Sequence, residues 1–448
     1  MTPELLPTLR STAECRQQAD AALEFMHELY PICRSITGDG VRRTLAAVGA
    51  HIPLEIHEVP SGTQVFDWEV PKEWNVREAW LADAQGRRVL DFRNHTLHVM
   101  SYSLPVDAVM SLEELQPHLH SLPEHPDWIP YRTSYYREDW GLCVSHRVRE
   151  SLVPGQYRVR IDSTLAPGSL TYGEFLHRGQ SEQEVLLFTH VCHPSLCNDN
   201  LTGIAVAAAL AAGLRAGQAR LSYRVVFAPG TIGSITWLAR NEQRLGALRC
   251  GLVLGLLGDR GPLTYKRSRR GDTEIDRIAS LVLRQQARAH QLVDFSPYGY
   301  DERQFCSPGF NLAVGRLTRS ANNAYPEYHT SADNFAVVDA DCLAESLQVC
   351  AAILRTIDGN CTYVNLSPKC EPRLGKRGLY RATGGAHPAE FEHALLWVLN
   401  QSDGGYSLAA IAERSGLPFA TIAQAADALL QAGLLAATET QDVRQRDT

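Results

Sequence analysis

The sequence predicts an α/β fold: a mostly parallel sheet with helices on both faces, carrying an inserted mainly β segment and a helical tail. Three observations predict it. From Glu184 onward, apolar runs of strand length alternate with helical stretches, the pattern of parallel strands joined by helices. From Val65 to about Phe175 the chain is rich in Trp, Tyr and Val in short alternating runs broken by Pro and Gly, which reads as β structure. Near the end, Gly416-Leu417-Pro418 separates two short helical stretches, as in helix-turn-helix units.

Each element has its own signal. Ala19, Ala22, Leu23, Met26, Leu29 and Tyr30 fall at helical spacing before Pro31, which ends the run. Asp39 is placed to cap a helix from Val41 to about Val48. Leu54–Val59 alternates as a strand. In the β segment the alternating runs are Val65–Val70, Leu97–Tyr102 and Tyr157–Asp162, and Pro123, Pro126 and Pro130 mark a long connection. The later strands are Val185–Thr189, Tyr223–Ala228, Gly251–Leu256 and Asn311–Leu317. The helices are Leu201–Leu214, Ser234–Leu245, Glu274–Ala287 and Asp341–Leu354. A Pro/Lys/Arg/Gly-rich linker runs from Leu366 to His387. Three helices follow at Glu390–Asn400, Ser407–Arg414 and Phe419–Ala432, with Ser407 as an N-cap. The expected division is 1–60 with 176–365 for the α/β domain, 61–175 for the insert, and 380–440 for a winged-helix-like domain.

The 448 residues, 44% hydrophobic and 21% charged, describe a globular protein of two or three domains. The net charge of −7 argues against a dedicated nucleic-acid binder. The 11 cysteines show no spacing of a secreted disulfide framework. No signal-peptide pattern is visible at Met1-Thr2-Pro3-Glu4. No apolar run approaches the ~20 residues that span a bilayer. A cytoplasmic protein without membrane contact is expected, with a small-molecule or peptide-like substrate and a homo-oligomer as the possible assembly. The helix from Phe419 to Ala432 holds no Lys or Arg, so nucleic acid is not an expected partner.

The chemistry concentrates in Thr189-His190-Val191-Cys192-His193-Pro194-Ser195-Leu196-Cys197-Asn198-Asp199-Asn200. This segment leaves a strand and enters a helix, where α/β folds place their sites. Tyr328-His329-Thr330-Ser331-Ala332-Asp333 supplies a third imidazole. His193 or His190, with Asp199 and His329, makes a plausible set for one zinc ion. Ordinary alternatives stand beside it. Asp199 could merely cap the following helix, and each His could be structural. Cys192 and Cys197 could be inert, soft zinc ligands, or a nucleophile paired with His.

The segments Leu186–His190, Asn198–Gly203 and Tyr328–Asp333 resemble the zinc aminopeptidase superfamily that includes glutaminyl cyclases. Within it the chain is similar to a bacterial aminopeptidase-like family with His-Pro-Ser before an Asn/Asp-rich turn, an inserted β domain and a C-terminal winged helix. Members often occur beside genes for polysaccharide or natural-product biosynthesis. The resemblance implies Asp199 as the metal-bridging aspartate, His329 as the late ligand, and His190 or His193 as the early one. Tyr300-Asp301-Glu302-Arg303-Gln304-Phe305 resembles the superfamily's loop near the metal.

The departures matter as much. Where the superfamily has a Glu pair, this chain has Gly230-Thr231; where it has a further aspartate, Gly255 stands, with Asp259 four residues later. One ion at most is therefore expected. Glu302 is the replacement general base, with Asp301 as helper; a salt bridge with Arg303 or a solvated loop is the ordinary alternative. The expectation is a zinc hydrolase acting on an amide of a small amino-acyl or acylated metabolite. The other readings are a metal- or ligand-binding protein without its base, and a transcriptional regulator using the C-terminal helices.

Overall fold

The computed structural model describes residues 5–286, 289–379 and 389–438. They form two compact units: Met1–Ile275 with Arg288–Ala351, and Asp276–Ala287 with Ala352–Thr448.

The first unit is organised around an eight-stranded sheet. We number its strands β1 (Glu55–Pro60), β2 (Ser169–His177), β3 (Glu184–His190), β4 (Ser222–Ala228), β5 (Leu248–Leu254), β6 (Leu263–Lys266), β7 (His290–Val293) and β8 (Val314–Thr318). Their order is β1-β2-β4-β3-β5-β8-β6-β7. The central strands β4, β3, β5 and β8 are parallel. Antiparallel β1 and β2 extend one side; β6 joins β8 antiparallel, with β7 parallel to β6. The sheet is thus mixed with a parallel centre.

The centre is parallel because its sequence is apolar on both faces. Val185, Leu186, Leu187 and Phe188 of β3 are fully buried, as are Tyr223 and Val225 to Ala228 of β4. Continuous rather than alternating burial belongs to strands covered on both sides. From β3 the chain passes through the helix Thr202–Ala216 to β4 on one side. From β4 it passes through Ile232–Asn241 to β5 on the other. The strand order therefore reverses at β3, and the C-terminal ends of β3, β4 and β5 are where such sheets place their sites.

A separate four-stranded antiparallel sheet lies within residues 61–175, in the order Arg88–Asp91, Glu73–Ala82, Gln156–Ala166, Val106–Ser111. The chain then returns to the large sheet as β2. Two local expectations are corrected. Val65–Val70 is split into the two-residue strands Gln64–Val65 and Trp68–Glu69 by a turn in which Phe66 adopts φ 57°. Leu97–Tyr102 is not a strand: a 3₁₀ turn covers Thr96–His98, and only isolated bridges follow at Val99 and Ser101. The first helix starts at Thr12, earlier than its apolar periodicity suggests, because Ser11 and Glu14 form a reciprocal capping box. Asp39 is the first residue of its helix rather than the cap, which is Gly38.

In the second unit, Thr362–Asn365 pairs antiparallel with Asp403–Ser407 and Leu435–Ala437. This central strand arises just before the linker begins, and residues 380–387 of that linker, with residue 388 after it, lie outside the described residues. The helices are Ala389–Gln401, Leu408–Ser415 and Phe419–Gln431, and the Ser407 hydroxyl caps the second by accepting from the Ala410 amide. The helix pair Leu408–Ser415 and Phe419–Gln431, followed by the strand Leu435–Ala437 on the same sheet, gives the winged-helix pattern. Among the described residues no helix is long and apolar enough to cross a membrane.

The load on β3 is testable. Phe188 is fully buried and meets Phe305 edge to face, ring centroids 5.4 Å apart. Phe188→Ala should destabilise the first unit by about 3–5 kcal/mol, measured by urea unfolding. A loss below about 1 kcal/mol would contradict the burial.

Candidate metal centre

The site is built on the turn leaving β3. His190 is the last residue of that strand. Cys197–Leu201 forms an irregular turn in which Asp199 and Asn200 leave helical geometry before the helix from Thr202 begins. Gly203 permits this turn: a Cβ there would lie 2.4 Å from Asn200 Oδ1 and 2.7 Å from Thr189 Oγ1. The Asn200 amide side chain donates to Thr189 Oγ1 (2.9 Å) and to the His190 carbonyl (3.0 Å). Sequence, through one small residue, thereby fixes how Asp199 leaves the helix entrance.

Asp199 is fully buried and receives the other candidates. His190 Nε2 is 2.9 Å and His193 Nδ1 3.3 Å from its Oδ1. His329 Nε2 is 3.0 Å from its Oδ2. The Tyr300 hydroxyl is 2.9 Å from both oxygens and 2.9 Å from the Tyr328 hydroxyl. The four residues singled out as ligands thus meet, although His329 lies 130 residues after Asp199 in the chain. Burial by itself would raise the Asp199 pKa, but the imidazoles of His193, His190 and His329 set around it hold its carboxyl well below the ordinary value. It remains an anion in a buried site. Burial holds His329 below its ordinary value, which favours the neutral imidazole a metal requires.

The donor set fits a zinc ion on a structural ground. His193 Nδ1 and His329 Nε2 are buried, face Asp199, and meet no hydrogen bond. Unpartnered buried nitrogens are costly, and metal coordination is a way to satisfy them. Two or three imidazoles with one carboxylate match zinc preferences.

Asp333 orients the turn. Its carboxylate accepts from the backbone amides of Asn198 (2.7 Å) and Asp199 (3.0 Å), and from the Tyr325 hydroxyl (3.1 Å). Its carbonyl accepts from the Cys197 amide. Burial, opposed by these bonds, pushes Asp333 up to about 7. Arg34, also buried, donates from Nε to the His193 carbonyl at 2.8 Å. The inserted segment contributes Tyr131, whose ring meets His193 and His329 edge to face at 5.3 and 5.1 Å. Neither Arg34 nor Tyr131 carried a sequence signal. Asp333 did: it lies four residues after His329 in the same short motif.

The proposed acid–base pair separates. Glu302 is fully buried, but its contacts are Lys266 Nζ at 2.9 Å, Arg316 at 3.7 Å and the Tyr300 amide at 3.1 Å, with none to the imidazoles. The ion pair is thus with Lys266 rather than Arg303. Asp301 Oδ1 accepts from the Thr231 amide (2.8 Å) and the Ser234 hydroxyl (2.6 Å), at the start of Ile232–Asn241. Its Oδ2 is buried with no partner. Burial pushes Asp301 up to about 6.

Gly230 and Gly255 both border His190. A Cβ at Gly230 would lie 3.6 Å from His190 Cβ and 3.3 Å from Cys192 Sγ; one at Gly255 would lie 3.5 Å from His190 Cε1 and 3.0 Å from Asn200 Oδ1. These walls carry no carboxylate. Asp259 does not fill the gap, because it accepts from Asn198 Nδ2 (2.8 Å) and the Ser320 hydroxyl (2.6 Å). Cys192 accepts from the Gly230 amide, and burial pushes its thiol up to about 12 and that of Cys197 higher still. Burial thus favours the protonated thiol over a free thiolate nucleophile at both positions.

A family model described as a domain of unknown function (DUF4910) matches residues 23–360, and one for a winged helix-turn-helix matches 361–437. A protein of Clostridium acetobutylicum, provisionally named a polysaccharide biosynthesis protein with an aminopeptidase-like domain, is 52% identical, over 92% of this chain and 94% of its own. A crystal structure of a provisionally named peptidase from that organism superposes with TM-score 0.91 at 49% identity, covering 95% of this chain and 98% of that one. A zinc aminopeptidase from Bacillus subtilis superposes with TM-score 0.57 at 12% identity, covering 79% and 96%. That last likeness is one of fold.

Removing the Asp333 clamp should be felt at once. Asp333→Ala leaves two buried amides without acceptors, at about 1–3 kcal/mol each. A drop in melting temperature larger than that of Asp333→Asn is expected in differential scanning calorimetry. Equal, negligible shifts in both variants would refute the clamp.

Proposed function

We propose that this chain, which belongs to the family described as a domain of unknown function (DUF4910), is a zinc-dependent aminopeptidase-like hydrolase that cleaves an amide bond in a small amino-acyl or acylated metabolite. The observation that carries the reading is the convergence of His190, His193 and His329 on the buried anion Asp199. The name of the Clostridium acetobutylicum relative favours a substrate from polysaccharide biosynthesis; natural-product biosynthesis is the other setting considered.

The ligands are drawn from His190, His193, Asp199 and His329, and one ion is expected. Zinc, when bound, supplies a water acidified toward neutrality and polarises the scissile carbonyl. Asp301 is the stronger candidate for the residue that takes the proton. Its Oδ2 has no competing bond, and a value of about 6 leaves it ionised at neutral pH yet basic enough to act. It is close enough to Cys192, beside Gly230, to raise that thiol's pKa. Glu302, tied to Lys266, serves by holding the Tyr300 amide and hence the hydroxyl set against Asp199. Tyr131 and Tyr328 crowd His329, which favours small or terminal groups over folded proteins. A second reading, a ligand-binding protein without turnover, is favoured by the empty wall at Gly230.

Screening aminoacyl amides and acylated sugars tests the choice. Turnover should vanish on chelation and return with zinc. Asp301→Asn should lower kcat/KM about 10²–10⁴-fold while keeping zinc, and Glu302→Gln should lower it less. Because Asp301 must be deprotonated, kcat/KM should fall as pH drops through about 6. Tight binding of these compounds with no turnover of any would select the binding protein instead.

A further inference from the structure

We propose that Arg316 forms a subsite for a carboxylate on the substrate, so that the amide cleaved belongs to an acidic metabolite. This rests on the hydrolase reading above and narrows its substrate class. Arg316 lies in β8, directly opposite Lys266 of β6, and cross-strand partners project from the same face. Both side chains are buried, and within ion-pair distance they share one carboxylate among the described residues, that of Glu302. Lys266 takes it. Its ammonium donates to Glu302 Oε1 at 2.9 Å and to the Ser296 and Tyr298 carbonyls at 2.7 and 2.6 Å, which uses all of its protons. Arg316 Nη1 stands 3.7 Å from the same oxygen, beyond hydrogen-bond length. Among the described residues the guanidinium makes one hydrogen bond, from Nη1 to Asn322 Oδ1 at 3.2 Å, and its Nε is buried with no acceptor.

A buried cation short of both charge and acceptors is costly, and an anion carried by a ligand meets both needs. The position suits a substrate group. Glu302 Oε2 accepts from the Tyr300 amide at 3.1 Å, and the Tyr300 hydroxyl joins the Tyr328 hydroxyl to Asp199. Arg316 thus stands beside the tyrosine pair that borders the metal centre. Burial and the Asp199 charge hold the Tyr328 phenol above its ordinary value, and the Arg316 charge opposes them. Asn322, Tyr300 and Tyr328 are half-buried, while Tyr298, whose hydroxyl accepts from Asn323 Nδ2 at 3.2 Å, is 67% exposed. The guanidinium therefore lies one side chain below the surface, and an incoming carboxylate takes the place of Asn322 Oδ1 on Nη1. One uncompensated positive charge matches a monoanion, and a planar carboxylate accepts two parallel bonds from a guanidinium. A phosphate monoester brings nearly two charges at neutral pH.

Isothermal titration calorimetry on the full-length protein supplied with zinc tests this without turnover. The probes are N-acetylglycine, N-acetyl-β-alanine and N-acetyl-γ-aminobutyrate, each against its own carboxamide, with inorganic phosphate as a further arm. At least one acid should bind about 10- to 100-fold tighter than its carboxamide. Arg316→Met should erase that preference while zinc content is unchanged. Asn322→Asp sets a carboxylate against the guanidinium from within the chain; it should weaken the same acid to a similar degree, and it decides the matter if Arg316→Met fails to fold. Equal binding of acid and carboxamide across the series would overturn the assignment. So would a preference that survives in both variants, as a carboxylate held by zinc alone would give, or phosphate as the tighter ligand. Each of these results leaves the hydrolase reading intact. If no amide is turned over while the acid preference stands, the hydrolase reading fails and the subsite remains.

Discussion

A buried carboxylate ringed by imidazoles is the constraint around which the first unit is arranged. Asp199 cannot sit there on its own account, since a buried unpaired charge is expensive. Its place depends on Asp333, which takes up the amides of residues 198 and 199 and fixes the angle at which the turn enters the helix. The same motif that delivers His329 to one side of Asp199 therefore also orients Asp199 itself. Two distant stretches of chain are locked by backbone as well as by side-chain bonds, so the imidazoles meet the carboxylate without relying on long flexible side chains.

The surrounding architecture serves that arrangement. The sheet reverses order at β3, which frees the C-terminal end of that strand from covering connections. Small residues then let the parts close up: Gly203 against Asn200, and Gly230 and Gly255 against His190. The inserted segment is more than an appendage. Residues 129 and 131 bond to the backbone of residues 331 and 329, and Tyr131 lies over two of the imidazoles. An insertion far from the metal motif in sequence thus supplies a wall of the site.

The loop Tyr300–Phe305 shows how neighbouring acids acquire opposite characters. Glu302 and Asp301 are both fully buried. Lys266 and Arg316 compensate Glu302, while Asp301 has an amide and a hydroxyl for one oxygen and nothing for the other. A paired carboxylate is a structural element, and a half-satisfied one is available for proton transfer. Sequence order could not separate them, because Lys266 and Ser234 reach the loop from other strands and helices.

Much was legible beforehand. The apolar run of β3, the small-residue helix after it, and the spacing of His190, His193, Asp199 and His329 identified the parallel centre and the candidate ligands, because period and residue chemistry are local properties. Short strands such as β6 and the edge strand β7 carry no signal of their own, since four residues hold too little pattern, and Leu97–Tyr102 alternates without a partner strand to pair with. What the chain alone determined was which donors exist and which elements carry them. Only the tertiary structure decided that His190 and His193 share one oxygen of Asp199 while His329 takes the other, that Lys266 claims Glu302, and that Asp301 is left with a free oxygen. Those outcomes depend on distances between segments far apart in sequence, and such distances are set by packing.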